Sequence, residues 1–303
     1  APCSYLIDKF GELVLPYEFH VHGVRTEIHG LVTGVHHLFV EDTGRVRISS
    51  TAQTALLENR TYIDVTKPGN ISVANIVVKK GGIFDILRKH DILIQVTSSL
   101  FEIKYEGKVL MNHGVLYTSV GDLETNGQLI LDGRGWESST GIGKGYRHGD
   151  YGTGGGHGGR GGTNGGNEGQ AYDSVFKPLM LGSGGGTGLY GAGGTGGGSL
   201  RWQAQDHLHL DGLITAQGHS GQSQSGGGSG GAVLIEALNM SGHGEINVNG
   251  GDGKSGGGSG SGGRIGIHVD FKNKYGGTYK AVGGQASSTT HVGGAGTVYK
   301  YES

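Results

Sequence analysis

From about residue 199 onward, apolar and polar positions alternate in short runs separated by glycine. His207-Leu208-His209-Leu210 alternates and passes through Asp211-Gly212 into Leu213-Ile214. Ala232-Val233-Leu234-Ile235 leads through the turn-rich Asn239-Met240-Ser241-Gly242 into Gly244-Glu245-Ile246-Asn247-Val248. A period of two with short turns predicts strands, and the spacing of an amphipathic helix is absent. Each apolar run opens after a glycine block, at Ser199, Ala232, Arg264 and Thr297, in steps of 33, 32 and 33 residues. A constant step of this size predicts a repeat architecture in which each unit buries its apolar face on its neighbours. Val233, Ile235, Ile246, Val248, Ile265 and Ile267 are the expected core.

The front of the chain has similar grammar with less glycine. Ile71 to Val78, Ile83 to Ile86, Leu100 to Tyr105, Val109 to Met111, Val115 to Tyr117 and Gln128 to Leu131 read as short strands punctuated by Gly or Asn-Gly. The pattern divides the chain into a β-rich region over residues 1–128, made of irregular coils or a cap, and glycine-rich repeats over 129–303. The expected fold is all-β, a right-handed parallel β-helix (β-solenoid) with coils of about 33 residues in its C-terminal half.

Composition sharpens this picture. The chain has 303 residues and 67 Gly, of which 14 precede Gly141. Collagen is excluded by the lack of an every-third-Gly register and by only four Pro. Disorder is excluded by the apolar runs that return between the glycine blocks. The blocks serve either as corners needing φ > 0 or as extended segments in close contact, and the sequence leaves both open. Lys plus Arg (24) nearly balances Asp plus Glu (26), so neither nucleic acid nor an anionic membrane surface is an expected partner. No apolar run is long enough to insert in a bilayer.

Several motifs carry a resemblance. Leu131-Asp132-Gly133-Arg134-Gly135-Trp136, His157-Gly158-Gly159-Arg160-Gly161-Gly162, Ala171-Tyr172-Asp173-Ser174 and Leu181-Gly182-Ser183-Gly184-Gly185-Gly186 occur in that order. Gly226 to Val233, Gly262 to Ile267 and Gly293 to Tyr299 follow. Together, over about Leu129 to Tyr301, they resemble glycine-rich extracellular β-helix proteins of bacterial surfaces and eukaryotic secretions. The resemblance implies a secreted or cell-surface setting and a structural or adhesive role. It brings no catalytic residues. Gly293 to Tyr301 opens a further repeat and stops without a capping segment, so the chain is expected either to continue beyond Ser303, as the long multi-part proteins of the resembled family imply, or to dock end to end on another copy.

Candidate chemistry is sparse. Trp136, Tyr146, Tyr151, His157, Tyr172, Tyr190 and Trp202 gather around the glycine-rich start and form the candidate ligand surface, with glycans as the class that aromatic rings would stack on. His157 is also expected to bond a loop carbonyl. His20/His22 and His207/His209 each share a strand face, but no third ligand completes a zinc site. Asn249-Gly250-Gly251-Asp252-Gly253 resembles a calcium β-roll turn only in part. No metal or cofactor is therefore expected. Among Asp85, Asp122, Asp132, Asp206 and Asp211 no two stand two residues apart, although stacked repeats can juxtapose residues about 33 apart. A polysaccharide-cleaving β-helix, or a ligand-binding ectodomain, is the alternative to a structural module. Asn59, Asn70 and Asn239 open N-x-S/T triplets and are candidate glycosylation sites. Cys3 is a candidate for an intermolecular disulfide.

Overall fold

The computed structural model describes the chain from residue 75 to 303 apart from 79, 88–92 and 288–290; before residue 75 it describes the backbone of eight strands. These are β1 (Glu12–Val14), β2 (Glu18–His22), β3 (Arg25–Ile28), β4 (Leu31–Thr33), β5 (His37–Glu41), β6 (Arg45–Ile48), β7 (Arg60–Asp64) and β8 (Gly69–Ser72). Next come β9 (Asn75–Val78), β10 (Ile83–Leu87), β11 (Ile94–Ile103), β12 (Lys108–Leu110), β13 (His113–Leu123) and β14 (Gln128–Ile130). Two short strands, β15 (Arg147–His148) and β16 (Tyr151–Gly152), form an antiparallel pair. The rest are β17 (Ser199–Leu210), β18 (Leu213–Thr215), β19 (Ala232–Gly242), β20 (Glu245–Asn247), β21 (Arg264–Tyr275), β22 (Thr278–Lys280) and β23 (Thr297–Glu302). Among the described residues there is no α-helix.

Two long parallel sheets organise the molecule. One runs β2-β5-β9-β11-β13-β17-β19-β21-β23, with β8 also on β11; the other runs β7-β10-β12-β14-β18-β20-β22. From β9 the chain crosses alternately from one sheet to the other. Ser199, Ala232, Arg264 and Thr297, the four repeat openings read from sequence, are Cα partners in one ladder. Both sheets also cross residue 128, through β13–β17 and β14–β18, so the front and back regions share one framework. The step is irregular in front: Ile83, Lys108 and Gln128 are ladder partners, and Gln128 pairs with Leu213 across a long excursion.

The core lies between the sheets. Val233, Ile235, Ile246, Val248, Ile265 and Ile267 are all fully buried there, with Leu200, Leu208, Leu210 and Ile214. The ladder shifts register after Thr118, Ala204 and Ala237 at the same level of successive strand pairs. Such aligned bulges bend the long strands together.

The glycine blocks form a third layer. Gly182, Gly185 and Gly188 donate their amides to the carbonyls of Gly197, Gly194 and Gly191. Gly226 and Ser229 donate to Gly186 and Ser183; Gly227 and Gly230 to Gly258 and Ser261; Gly228 and Gly231 to His219 and Ala216. Every third amide thus meets the same neighbour, and three neighbours surround one segment. That is the signature of an extended helix with three residues per turn, as in polyproline II. Each block goes out and back: residues 216–222 lie against 225–231, and 248–254 against 257–263.

Close approach, not corner geometry, explains the glycine. No glycine in 182–198, 226–231 or 257–263 has positive φ; at the hairpin tips the positive values belong to Gln224, Ser255 and Gly256. A Cβ on Gly226 would stand 1.9 Å from the Thr153 carbonyl oxygen, and one on Gly231 1.8 Å from that of Gly198. Of the two geometries the sequence left open, the structure has the extended one.

Candidate functional site

The aromatic candidates separate into two groups. Trp202 does not belong to a ligand surface: it is fully buried, its ring edge-on to Phe101 at 5.6 Å and its indole N–H donated to Thr118 Oγ1 at 3.2 Å. It faces inward because its register on β17 places it level with Leu116 and Ile235. Tyr172 is a packing residue as well. Its hydroxyl bonds the Leu181 carbonyl and Ser183 Oγ, and burial pushes the phenol's pKa up. Trp136 is half-buried. Tyr146, Tyr151 and Tyr190 are exposed, and the Leu189 amide bonds the Asp150 carbonyl, which brings Tyr190 beside the Tyr151 turn.

His157 is wholly buried and therefore presents nothing to a ligand. Its Nδ1 lies 2.8 Å from the Gly230 carbonyl and its Nε2 3.1 Å from Asp173 Oδ2. A carbonyl only accepts, so Nδ1 carries a proton. Asp173 also accepts the amides of Leu179 (3.0 Å) and Met180 (2.9 Å). Burial alone would raise this carboxyl, but the bonds from His157, Met180 and Ser174 outweigh it and hold its pKa below the usual range. The ionised Asp173 accepts from the ring, so His157 clamps the loop at Asp173 to the glycine layer through its two nitrogens.

Asp132 accepts the amide of Gln217 and the hydroxyl of Thr215, both at 2.6 Å, tying its turn to the next repeat. Asn239 on β19 donates its side-chain amide to the Asp206 carbonyl at 3.1 Å. The side chains of Asn59 and Asn70, and Cys3, lie outside the described residues, as do those of His20 and His22. Among the described residues no three His, Cys, Asp or Glu side chains converge as metal ligands.

A cleft of about 280 Å³ opens on the outer face of the ten-stranded sheet, lined by Tyr105, Asp122, Glu124, Thr125, His209 and Asp211. The register builds it. Glu102, Asp122, His209 and Ser241 are successive Cα partners on β11, β13, β17 and β19, and Asp211 follows in the β17–β18 turn. Burial raises the Asp122 pKa against the opposing charges of His209 and Lys104, and Asp122 Oδ1 has no hydrogen-bond partner. The His243 amide, at 2.7 Å, and His209 hold Asp211 below the usual range. The Tyr105 amide and Lys104 outweigh burial to lower Glu124. The cleft thus joins a carboxyl whose pKa burial raises to two whose pKa values their bonds lower.

No protein-family model, curated protein or solved structure matches the chain. The site therefore stands on its own geometry. Sequence reading named Asp122 and Asp211 but not their meeting, and it passed over Tyr105 and Glu124. Asp122 and Glu124 stand two apart around the β13 end, a signal that was legible. The Asp122–His209 contact was not, because 87 residues separate them and the excursion after β14 hides the register.

Proposed function

We propose that the chain is a right-handed parallel β-helix serving as a rigid structural or adhesive module, secreted or displayed on a cell surface. The observation that supports this most directly is the glycine layer, where three neighbours take up the successive amides of one segment. Such a layer stiffens the molecule without side chains, as a spacer or matrix component requires. The motif order that resembles extracellular glycine-rich β-helix proteins supports the setting. Hydrogen exchange tests the rigidity: residues 182–198 and 257–263 are expected to exchange as slowly as β17 and β19, and exchange at random-coil rates would overturn it.

The cleft favours a second reading, recognition or cleavage of a polysaccharide. Tyr105 offers a ring, while Asp122, Glu124 and Asp211 offer acceptors to sugar hydroxyls. Glycan-array binding lost in Tyr105→Ala and Asp122→Asn would support it. Binding unchanged in both would place the glycan elsewhere, with the exposed Tyr146, Tyr151 and Tyr190 as the next candidates.

A further inference from the structure

Beside the cleft lies a hydroxyl that the two readings above leave unused. His209 and Ser241 are Cα partners on β17 and β19, and both are half-buried on the outer face. Ser241 Oγ stands 2.9 Å from His209 Nδ1, and His209 Nε2 stands 3.1 Å from Asp211 Oδ2. His207 Nε2 lies 2.9 Å from the same Ser241 Oγ.

The protons can be placed. The Asp211 carboxylate only accepts, and its other oxygen takes the His243 amide. His209 Nε2 therefore carries a proton, and in the neutral ring Nδ1 is an acceptor. The Ser241 O–H donates to it, and His207 Nε2–H donates to the Ser241 oxygen. Asp211 is held in place by its own amide, bonded to the Leu123 carbonyl at 2.9 Å. A ladder of polar side chains explains a serine touching a histidine. It does not require a carboxylate on the far nitrogen of that ring, nor a second imidazole on the same hydroxyl.

We propose that Ser241 is an activated nucleophile for carboxylic esters, with His209 as its general base and Asp211 as the group that orients and charges-balances that base. These are the roles of a serine–histidine–aspartate triad, with the two ring nitrogens exchanged. Ser241 Oγ attacks the ester carbonyl carbon while its proton passes to His209 Nδ1. Collapse of the tetrahedral adduct breaks the bond to the alkoxy oxygen, which takes that proton and leaves as the alcohol. Water then cleaves the acyl–Ser241 ester, giving a proton to His209 Nδ1 that returns to Oγ. His207, whose Nε2 lies 2.9 Å from Ser241 Oγ, supplies a hydrogen-bond donor beside the reacting centre. The inference does not rest on the structural reading, and it shares His209 and Asp211 with the lining of the cleft.

The full chain, made in bacteria so that Asn239 carries no glycan, is treated with a fluorophosphonate probe and mapped by mass spectrometry. The expected result is an adduct on Ser241, formed at least tenfold more slowly in His209→Gln and absent in Ser241→Ala, with circular dichroism unchanged in both. Turnover of p-nitrophenyl acetate should fall in parallel. Folded wild-type protein left unlabelled at Ser241, or labelled equally fast in His209→Gln, would overturn the proposal. Should His209→Gln lose the fold, Asp211→Asn replaces it and is read by the same criterion.

Discussion

At the scale of single residues, burial decides what each side chain is for. Ile265 is fully buried between the sheets. Ile265→Asp places a carboxylate there without a partner and is expected to cost several kcal/mol, about 2–7 on the scale for unpaired polar burial. Urea unfolding checks this; a loss below about 0.5 kcal/mol would contradict the core assignment. Asp173 makes a second test. Its depressed pKa means that its bonds stabilise the fold at neutral pH and that this contribution is lost as pH falls through the folded value. Asp173→Asn keeps an accepting oxygen but removes the charge that strengthens the bonds from His157, Met180 and Ser174. The variant should lie about 1.5–3 kcal/mol below wild type at pH 7, the scale of a hydrogen bond to a charged group. The gap should narrow on acidification below about pH 4, the ordinary carboxylate value. A gap independent of pH would remove Asp173 from this role.

At the scale of elements, the glycine segments behave unlike the strands beside them. A strand accepts any side chain that suits its face, because neighbours stand about 4.8 Å apart. The glycine segments approach so closely that a methyl group meets backbone. Gly226→Ala sets a Cβ 1.9 Å from the Thr153 oxygen, whereas at Gly294 the nearest atom is 3.3 Å away. Gly226→Ala should destabilise by about 1–3 kcal/mol or more, and Gly294→Ala by much less. Equal thermal midpoints for the two variants would show that the layer yields, and that the close approach is not what demands glycine.

At the scale of the whole molecule, β23 can stack on further chain or on another copy. β23 ends the ten-stranded sheet with Val298 and Tyr301 about half exposed, and Val282 and Val292 are exposed nearby. A strand edge with apolar side chains invites addition of another strand. If copies of this chain meet there, as the end-to-end reading proposes, light scattering should show mass rising with concentration. Val298→Lys should suppress that rise without altering the spectrum of the folded chain. A monomer at all concentrations in both proteins would count against self-association through β23.

What could be read directly from the sequence was whatever repeats locally. The steps of 33, 32 and 33 residues follow one ladder level, so Ser199, Ala232, Arg264 and Thr297 fell into register on inspection. Alternation within each repeat was enough to choose the core side of Val233 and Ile265. Trp202 was misjudged because composition said only that aromatic residues gather near it, while its face is set by register with Leu116 and Ile235. The role of glycine needed three dimensions, since close contact and positive φ leave the same mark on a sequence. So did the cleft and the Ser241–His209–Asp211 arrangement. These groups lie up to 119 residues apart in the chain, from Asp122 to Ser241. Only the stacking of parallel strands across an irregular excursion brings them onto one face.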